Sequence, residues 1–194
     1  YAGHDEEYRK LLTDCTEIVT EEVESLRRLV QEFAEFARMP QLALTPQDLN
    51  AVIVDTIKLY SERKVELHLD DSLPELKLDL EGIRRVLINL VENALDAAGA
   101  GSTIVIQTRK DGDKVCLSIL DEGPGVARAD RESIFEPYVS HKQDGTGLGL
   151  AMVRSIVEEH GGTITVSDSP AGGARFNIDF ATPDESESAQ ETNS

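Results

Sequence analysis

Four polar side chains, Asn89, Glu92, Asn93 and Asp96, recur in "NLVENALDA" at i, i+3, i+4 and i+7, the spacing that lines them along one stripe of a helix. Asparagine is a mediocre helix former and gains nothing from mid-helix exposure. Two of them beside two carboxylates therefore suggest more than a solvated face: amide and carboxylate oxygens on adjacent turns suit Mg2+, a hard cation that keeps waters and shares substrate phosphates. Downstream, "LSILDEGPG" ends an apolar run at Asp121, with Gly123 and Gly125 flanking Pro124. A carboxylate there can accept a hydrogen bond from an exocyclic amine, and the glycines let a flat ring lie against backbone; a strand closed by a turn is the plain alternative. Finally, "DGTGLGLAMVRSIVEEHGG" sets Gly145, Gly147 and Gly149 two apart and runs straight into an amphipathic pattern. This is either a mobile loop or an anion cradle, in which backbone N–H groups and the positive end of a helix face phosphate oxygens. Neither G-x-x-x-x-G-K-[ST] nor G-x-G-x-x-G fits it.

Elements able to hold these groups can be read around them. From about Asp5 to Met39, Leu12, Val19, Leu26 and Phe33 stand seven apart with Thr16, Val23, Val30 and Ala37 interleaved, an a/d seam. Leu11, Cys15, Ile18, Leu29 and Phe36 widen it toward a bundle of several helices, and Pro40 stops it. Thr45 reads as an N-cap with Pro46 at the first helical position of a helix reaching about Glu62. "KVELHLD" and "LPELKLD" read as strands. Asp79 caps a helix through about Ala98, with Ile83, Val86, Leu87, Leu90, Ala94 and Ala97 as its core stripe. "STIVIQTRK" and "KVCLSILD" form a hairpin about "DGD". An irregular stretch, 122–144, precedes a helix over 148–160, and "GGTITVSDS" and "GARFNIDFA" pair about a Pro-Gly turn. The expected fold is α+β: a two-layer sandwich of a mixed, mostly antiparallel sheet with helices on one face, preceded by a long helical arm. The arm spans 1–40, the domain 41–181, and an acidic tail, 182–194, has too little apolar content to order itself.

Composition narrows the function. The 194 residues carry 37 acidic against 19 basic side chains, a formal net charge of −18, which excludes nucleic acid as a partner on electrostatic grounds. A single nucleotide is compatible if a divalent cation or local lysine and arginine offset its charge. Cys15 and Cys116 form neither a metal spacing nor a disulfide framework and read as small core residues in a reducing compartment. No apolar run reaches membrane-spanning length and no signal peptide is visible. A chain starting at Tyr1 reads as a fragment, with room upstream for an anchor.

The ordered set "NLVEN", "DEGPG", "FEPY" and "GTGLGL" resembles the N, G1, F and G2 boxes of the sensor histidine kinases of two-component systems, within the superfamily of gyrase, Hsp90, histidine kinases and MutL. The likeness covers about Leu44 to Ala181, and "VQEFAEFARMP" is similar to the second helix of the dimerisation hairpin in the nitrogen-regulation branch. It implies a Bergerat-type ATP-binding fold with ATP and Mg2+ as ligands. By position, Asn93 with support from Asn89 meets the metal, Asp121 reads the adenine amino group, and Gly123 and Gly125 frame the base. Gly145, Thr146, Gly147, Leu148 and Gly149 form the phosphate side. A lid spans Val126 to Asp144, anchored by "IFEPY", and Lys142 is its phosphate cation. Glu92 stands where hydrolytic relatives place a water-activating base.

The resemblance further implies transfer of the γ-phosphoryl group of ATP to a histidine, then onward to an aspartate of a response regulator, by a cytoplasmic homodimer joined through the arm. The parent protein would be free to carry an inner-membrane anchor upstream, with no membrane contact from this segment. The family's acceptor histidine is followed by an acidic residue and later by asparagine and proline. His4 has only the first of these signals and reads as a surface residue, so the acceptor belongs to a helix outside this chain and the fragment should not phosphorylate itself. His68 and His160 look structural; His141 stands beside Lys142 in the lid. Two other readings are an ATP-hydrolysing conformational machine of the same superfamily and a non-catalytic dimerisation scaffold.

Overall fold

The computed structural model describes residues 2–37, 42–99, 101–140, 142 and 145–182. Helix α1, Ala2–Ala37, matches the long helical pattern. Along it Thr13, Thr16 and Thr20 turn their hydroxyls back onto the carbonyls of Arg9, Leu12 and Thr16, four residues earlier, so that they satisfy themselves within the helix. Leu12, Val19, Leu26 and Phe33, the predicted seam, are exposed on the single chain. Cys15 is exposed too, which corrects its expected place in a core: it sits on that same uncovered side of the helix.

The stretch after the arm departs from expectation. Thr45 and Pro46 do not open a helix; they lie in strand β1, Thr45–Gln47, which pairs antiparallel with β3, Leu76–Leu78, placing Pro46 opposite Lys77. A two-stranded sheet has only edges, where proline is tolerated. The true N-cap is Asp48, whose Oδ1 accepts from the Ala51 N–H at 3.1 Å, and α2 runs Leu49–Ile57 before a single 3-10 turn, Lys58–Tyr60.

The main sheet has five strands in the order β2-β4-β5-β7-β6: Val65–His68, Ile104–Asp111, Lys114–Leu120, Ala174–Ala181 and Thr163–Asp168. Only β2 and β4 run parallel, as expected for a mixed, mostly antiparallel sheet. Register puts Ile106, Ile119, Phe176 and Val166 in one row and Leu117, Ile178 and Ile164 in the next. On the opposite face Ser118 and Asn177 form a polar row, with Ser118 Oγ donating to Asn177 Oδ1 at 3.0 Å. Cys116 is buried on that face, and burial, followed by the nearby Asp179, pushes its thiol above the usual range.

Two helices cover the apolar face: α3, Leu80–Ala98, and α4, Gly149–Glu159, pack side by side, with α2 along α3. The start of α3 is built as predicted. Asp79 Oδ1 accepts from Gly82 N–H at 2.7 Å, while its own N–H donates to His160 Nε2 at 2.9 Å. His160 Nδ1 lies 2.6 Å from the Ile156 carbonyl, which fixes the tautomer with Nδ1 as donor and Nε2 as acceptor. His160 is therefore a structural staple between the two helices. The α3 core stripe is Ile83, Val86, Leu87, Leu90, Val91 and Ala94. Ala97 is exposed and Val91 is buried instead: at the last turn Leu95 and Ala98 pack on the core, while the Ala97 carbonyl abuts the loop at Gly123. Each fully buried leucine here contributes roughly 1.5–3 kcal/mol by leaving water, so the face opposite the polar stripe holds the stripe in place.

Candidate nucleotide site

The polar stripe of α3 meets three different neighbours. Asn89 donates through Nδ2 to the Arg85 carbonyl at 3.0 Å, and its Oδ1 faces Gly149 so closely that a Cβ there would lie 2.7 Å away. Asn93 Oδ1 accepts from the Lys142 ammonium at 2.9 Å, and Asp96 Oδ2 accepts from the same ammonium at 2.8 Å. Glu92 points elsewhere: its Oε1 accepts from the Tyr60 hydroxyl at 3.5 Å. Burial, followed by the Glu92 charge, pushes the Tyr60 phenol up to about 12. Tyr60 and the pairing of Asp96 with Lys142 were missed in the sequence, which carries no local signal for contacts between residues 32 and 46 positions apart.

Asp121 follows β5 and is 3% exposed. Its N–H donates to the Ala174 carbonyl at 3.0 Å, and its Oδ1 accepts from Gly123 N–H at 2.8 Å and Ala174 N–H at 3.0 Å. Both of these carboxylate bonds fall on one oxygen, which pins the group and leaves Oδ2 to accept from a ligand. Gly123 has no room for a side chain, since a Cβ would lie 2.9 Å from the Ala97 carbonyl. Gly173 was not singled out from the sequence and is as constrained: a Cβ on it would lie 2.3 Å from Asp121 Oδ1. The Gly172-Gly173 pair before the last strand was the available signal. A cavity of about 450 Å³ adjoins this loop, bounded in part by Gly125, Val126, Arg131, Ser169 and Gly173.

The segment after it folds back as a flap. Ile134 and Phe135 are buried in a 3-10 turn, with Phe135 edge-on to Phe176 at 6.4 Å and under the Arg154 guanidinium at 6.0 Å. They are the expected apolar anchor. Tyr138 is not part of it, being 67% exposed with φ 68°. The Tyr138 N–H donates to the Gly147 carbonyl at 3.1 Å, and Gly147 itself has φ 70° and backbone atoms where a Cβ would go. This ties the flap to the glycine loop. Gly145 N–H donates to the Lys142 carbonyl at 3.3 Å. Leu148 is 1% exposed, so only its backbone faces the loop, where its N–H donates to Thr146 Oγ1 at 3.4 Å. The α4 helix begins at Gly149, directing its positive end and unsatisfied N–H groups toward this loop. His141 and Asp144 lie outside the described residues, as do the side chain of His4 and the tail from residue 183.

The structure thus brings Asn89, Asn93, Lys142 and the Gly145–Gly149 loop to one side of α3, with Asp121, Gly123 and Gly125 past its C-terminal turn. Residues 78–184, which include all of these, match the profile of the histidine kinase-, DNA gyrase B- and HSP90-like ATPases. The chain belongs to this family. Within this ATPase family it is similar to the sensor histidine kinase ZraS of Escherichia coli O157:H7, 39% identical over 168 residues, covering 84% of this chain and 37% of ZraS. The chain therefore spans little more than a third of that relative's length. It superposes on full-length ShkA solved with AMPPNP at a TM-score of 0.72, 31% identical, covering 84% of this chain and 37% of ShkA. It also superposes on the histidine kinase ThkA in complex with the response regulator TrrA, at a TM-score of 0.72 and 29% identity, covering 86% of this chain and 50% of ThkA. The domain is of the histidine kinase ATP-binding type.

Proposed function

We propose that this chain is the catalytic ATP-binding part of a sensor histidine kinase, which binds Mg2+ and ATP and presents the γ-phosphoryl group to a histidine on a further helix, for onward transfer to a response regulator. The observation that carries the nucleotide reading is the seating of an ammonium at Asn93 Oδ1, 2.9 Å away, on a helix otherwise flanked by carboxylates. A cation is already favoured at that oxygen, and a neutral amide oxygen is a hard donor suited to Mg2+. Asn89, one turn earlier, supports it.

Each remaining group has a task that its geometry allows. Asp121, pinned through Oδ1, offers Oδ2 to the adenine amino group. Gly123 and Gly125 let the base approach backbone. The loop from Gly145 to Gly149 and the start of α4 bind the phosphates through N–H groups and the helix dipole. Asn93, with Asn89 in support, would hold Mg2+, which would supply charge neutralisation to the phosphates. Lys142 adds a mobile positive charge, and the flap anchored at Phe135 keeps water from the transferring group. Glu92, held by Tyr60, steadies the turn of α3 that carries Asn93. In-line transfer to an imidazole nitrogen then depends chiefly on positioning.

The exposed apolar seam of α1 supports a homodimer built through that helix, and the ThkA–TrrA complex supports a response regulator as partner. The segment "VQEFAEFARMP" supports a place in the nitrogen-regulation-like branch. Among the described residues no helix is long and apolar enough to cross a membrane; we place this part in the cytoplasm, with any anchor upstream. The test is calorimetric titration with AMPPNP with and without Mg2+. Wild type should bind in Mg2+, and Asn93→Ala should lose the metal-dependent part of the affinity while keeping its circular dichroism. Equal affinity of the two proteins in Mg2+ would remove the metal assignment.

A further inference from the structure

Asp96 is given no task in the proposed function, yet it makes the shorter of the two bonds that hold Lys142. The ammonium lies 2.8 Å from Asp96 Oδ2 and 2.9 Å from Asn93 Oδ1, and the two acceptors sit three residues apart on the same face of α3. The carboxylate is the stronger partner, because both members of that bond are charged. Lys142 is also wired to the loops around it. Its N–H donates to Ser140 Oγ at 3.1 Å and its carbonyl accepts from Gly145 N–H at 3.3 Å, so a force on the ammonium is transmitted to the flap and to the glycine loop.

We propose that Asp96 is a positioning residue that parks Lys142 across Asn93 when no nucleotide is bound, holding the flap on α3 until the ammonium is exchanged onto the terminal phosphate. This deepens the nucleotide-site reading and rests on it. Two cations cannot share the Asn93 oxygen without repulsion. Binding of a metal–triphosphate must therefore release Lys142 from Asn93, and the nearest new anion is the phosphate itself. The ammonium has three donors and no acceptor, so it can pass between anions without leaving a donor stranded. In the empty site the same ion pair cancels a carboxylate that would repel a triphosphate in a chain of net charge −18. Both partners are partly exposed, so the tie is weak enough to be broken by a ligand.

The test is amide hydrogen exchange on the full chain, following the flap amides of Tyr138, Val139 and Gly145, with Ile106 in the core sheet as a folding control. Without nucleotide, Asp96→Asn should exchange at the flap about 2- to 5-fold faster than wild type. Asp96→Glu should restore protection, Lys142→Met, which loses the Asn93 bond as well, should exchange at least as fast as Asp96→Asn, and the double variant should match Lys142→Met. With saturating AMPPNP and Mg2+, Asp96→Asn should return to wild-type protection, since Lys142 then has the phosphate, whereas Lys142→Met should not. Wild-type flap exchange in Asp96→Asn without nucleotide, additive variants, or a defect that persists with nucleotide would each overturn the proposal. If nucleotide protects Asp121–Gly125 in wild type but leaves the flap unaltered, the exchange fails alone. If it protects neither region, the nucleotide-site reading falls with it.

Discussion

Gly147 should be the least replaceable residue of the glycine loop, and the structure shows why. Its φ of 70° lies in the left-handed region, where a side chain costs roughly 1–2 kcal/mol. A Cβ would also lie 2.6 Å from the Tyr138 carbonyl carbon and 2.7 Å from the Val139 nitrogen, and backbone cannot rotate out of the way. Relief requires the chain at 138–139 to move off, which breaks the bond from Tyr138 N–H to the Gly147 carbonyl, about 1 kcal/mol net. The sum for Gly147→Ala is about 2–3 kcal/mol, and it falls on the contact between flap and loop, away from the main core. Converted at 1.4 kcal/mol per decade, AMPPNP affinity should fall roughly 30- to 150-fold, while the circular dichroism melting temperature moves little. Gly145→Ala is the control. A Cβ there meets Ser140 Oγ at 2.3 Å, a hydroxyl that can rotate away at the cost of the exposed bond it accepts from Lys142 N–H, and Gly145 has no positive φ to lose, so its affinity should fall by no more than about 5-fold, the roughly 1 kcal/mol of one such bond. Calorimetric titration of both variants decides the matter: Gly147→Ala binding as tightly as Gly145→Ala would refute the reasoning.

Other sites can be tested alongside. Asp121→Asn keeps an oxygen for the Gly123 and Ala174 amides but, on the proposed placement of the base, turns an NH2 toward the adenine amino group; the fold should survive while AMPPNP affinity drops by about 10- to 150-fold, equivalent to about 1.5–3 kcal/mol for a hydrogen bond to a charged group. Unchanged affinity would place the base elsewhere. His160→Ala strips the Asp79 N–H of its acceptor at the cap of α3 and should lower stability to urea by about 1–3 kcal/mol, with a wild-type midpoint counting against the staple. Tyr60 should ionise near pH 12 in an ultraviolet difference titration against Tyr60→Phe. Because the fold raises this phenol above its ordinary value, its contribution to stability is complete below about pH 10 and is lost as pH rises through 12. A difference midpoint near 10 would show that Tyr60 is neither buried nor bonded to Glu92.

What the sequence by itself determined is whatever depends on neighbours within one or two turns. The period of 3.6 placed Asn89, Glu92, Asn93 and Asp96 on one stripe opposite Ile83, Leu87 and Leu90; Asp79 announced its cap three residues before Gly82; alternation and "DGD" drew the β4–β5 hairpin. The four boxes stood in order on those elements, and that was enough to name the family. The failures occur where a local preference is overruled by a distant partner. Thr45 and Pro46 look like a helix start, but pairing with Leu78 and Lys77 keeps them extended. Ala97 has the right spacing for the core, yet it lies exposed beside the Gly123 loop. The polar stripe likewise could not reveal that Asn93 and Asp96 share Lys142, that Glu92 turns instead to Tyr60, or that Gly173 closes against Asp121. Periodicity and capping are encoded in backbone geometry over a few residues, whereas these contacts join residues 32 to 53 positions apart and exist only once packing of the sheet and helices has brought them together.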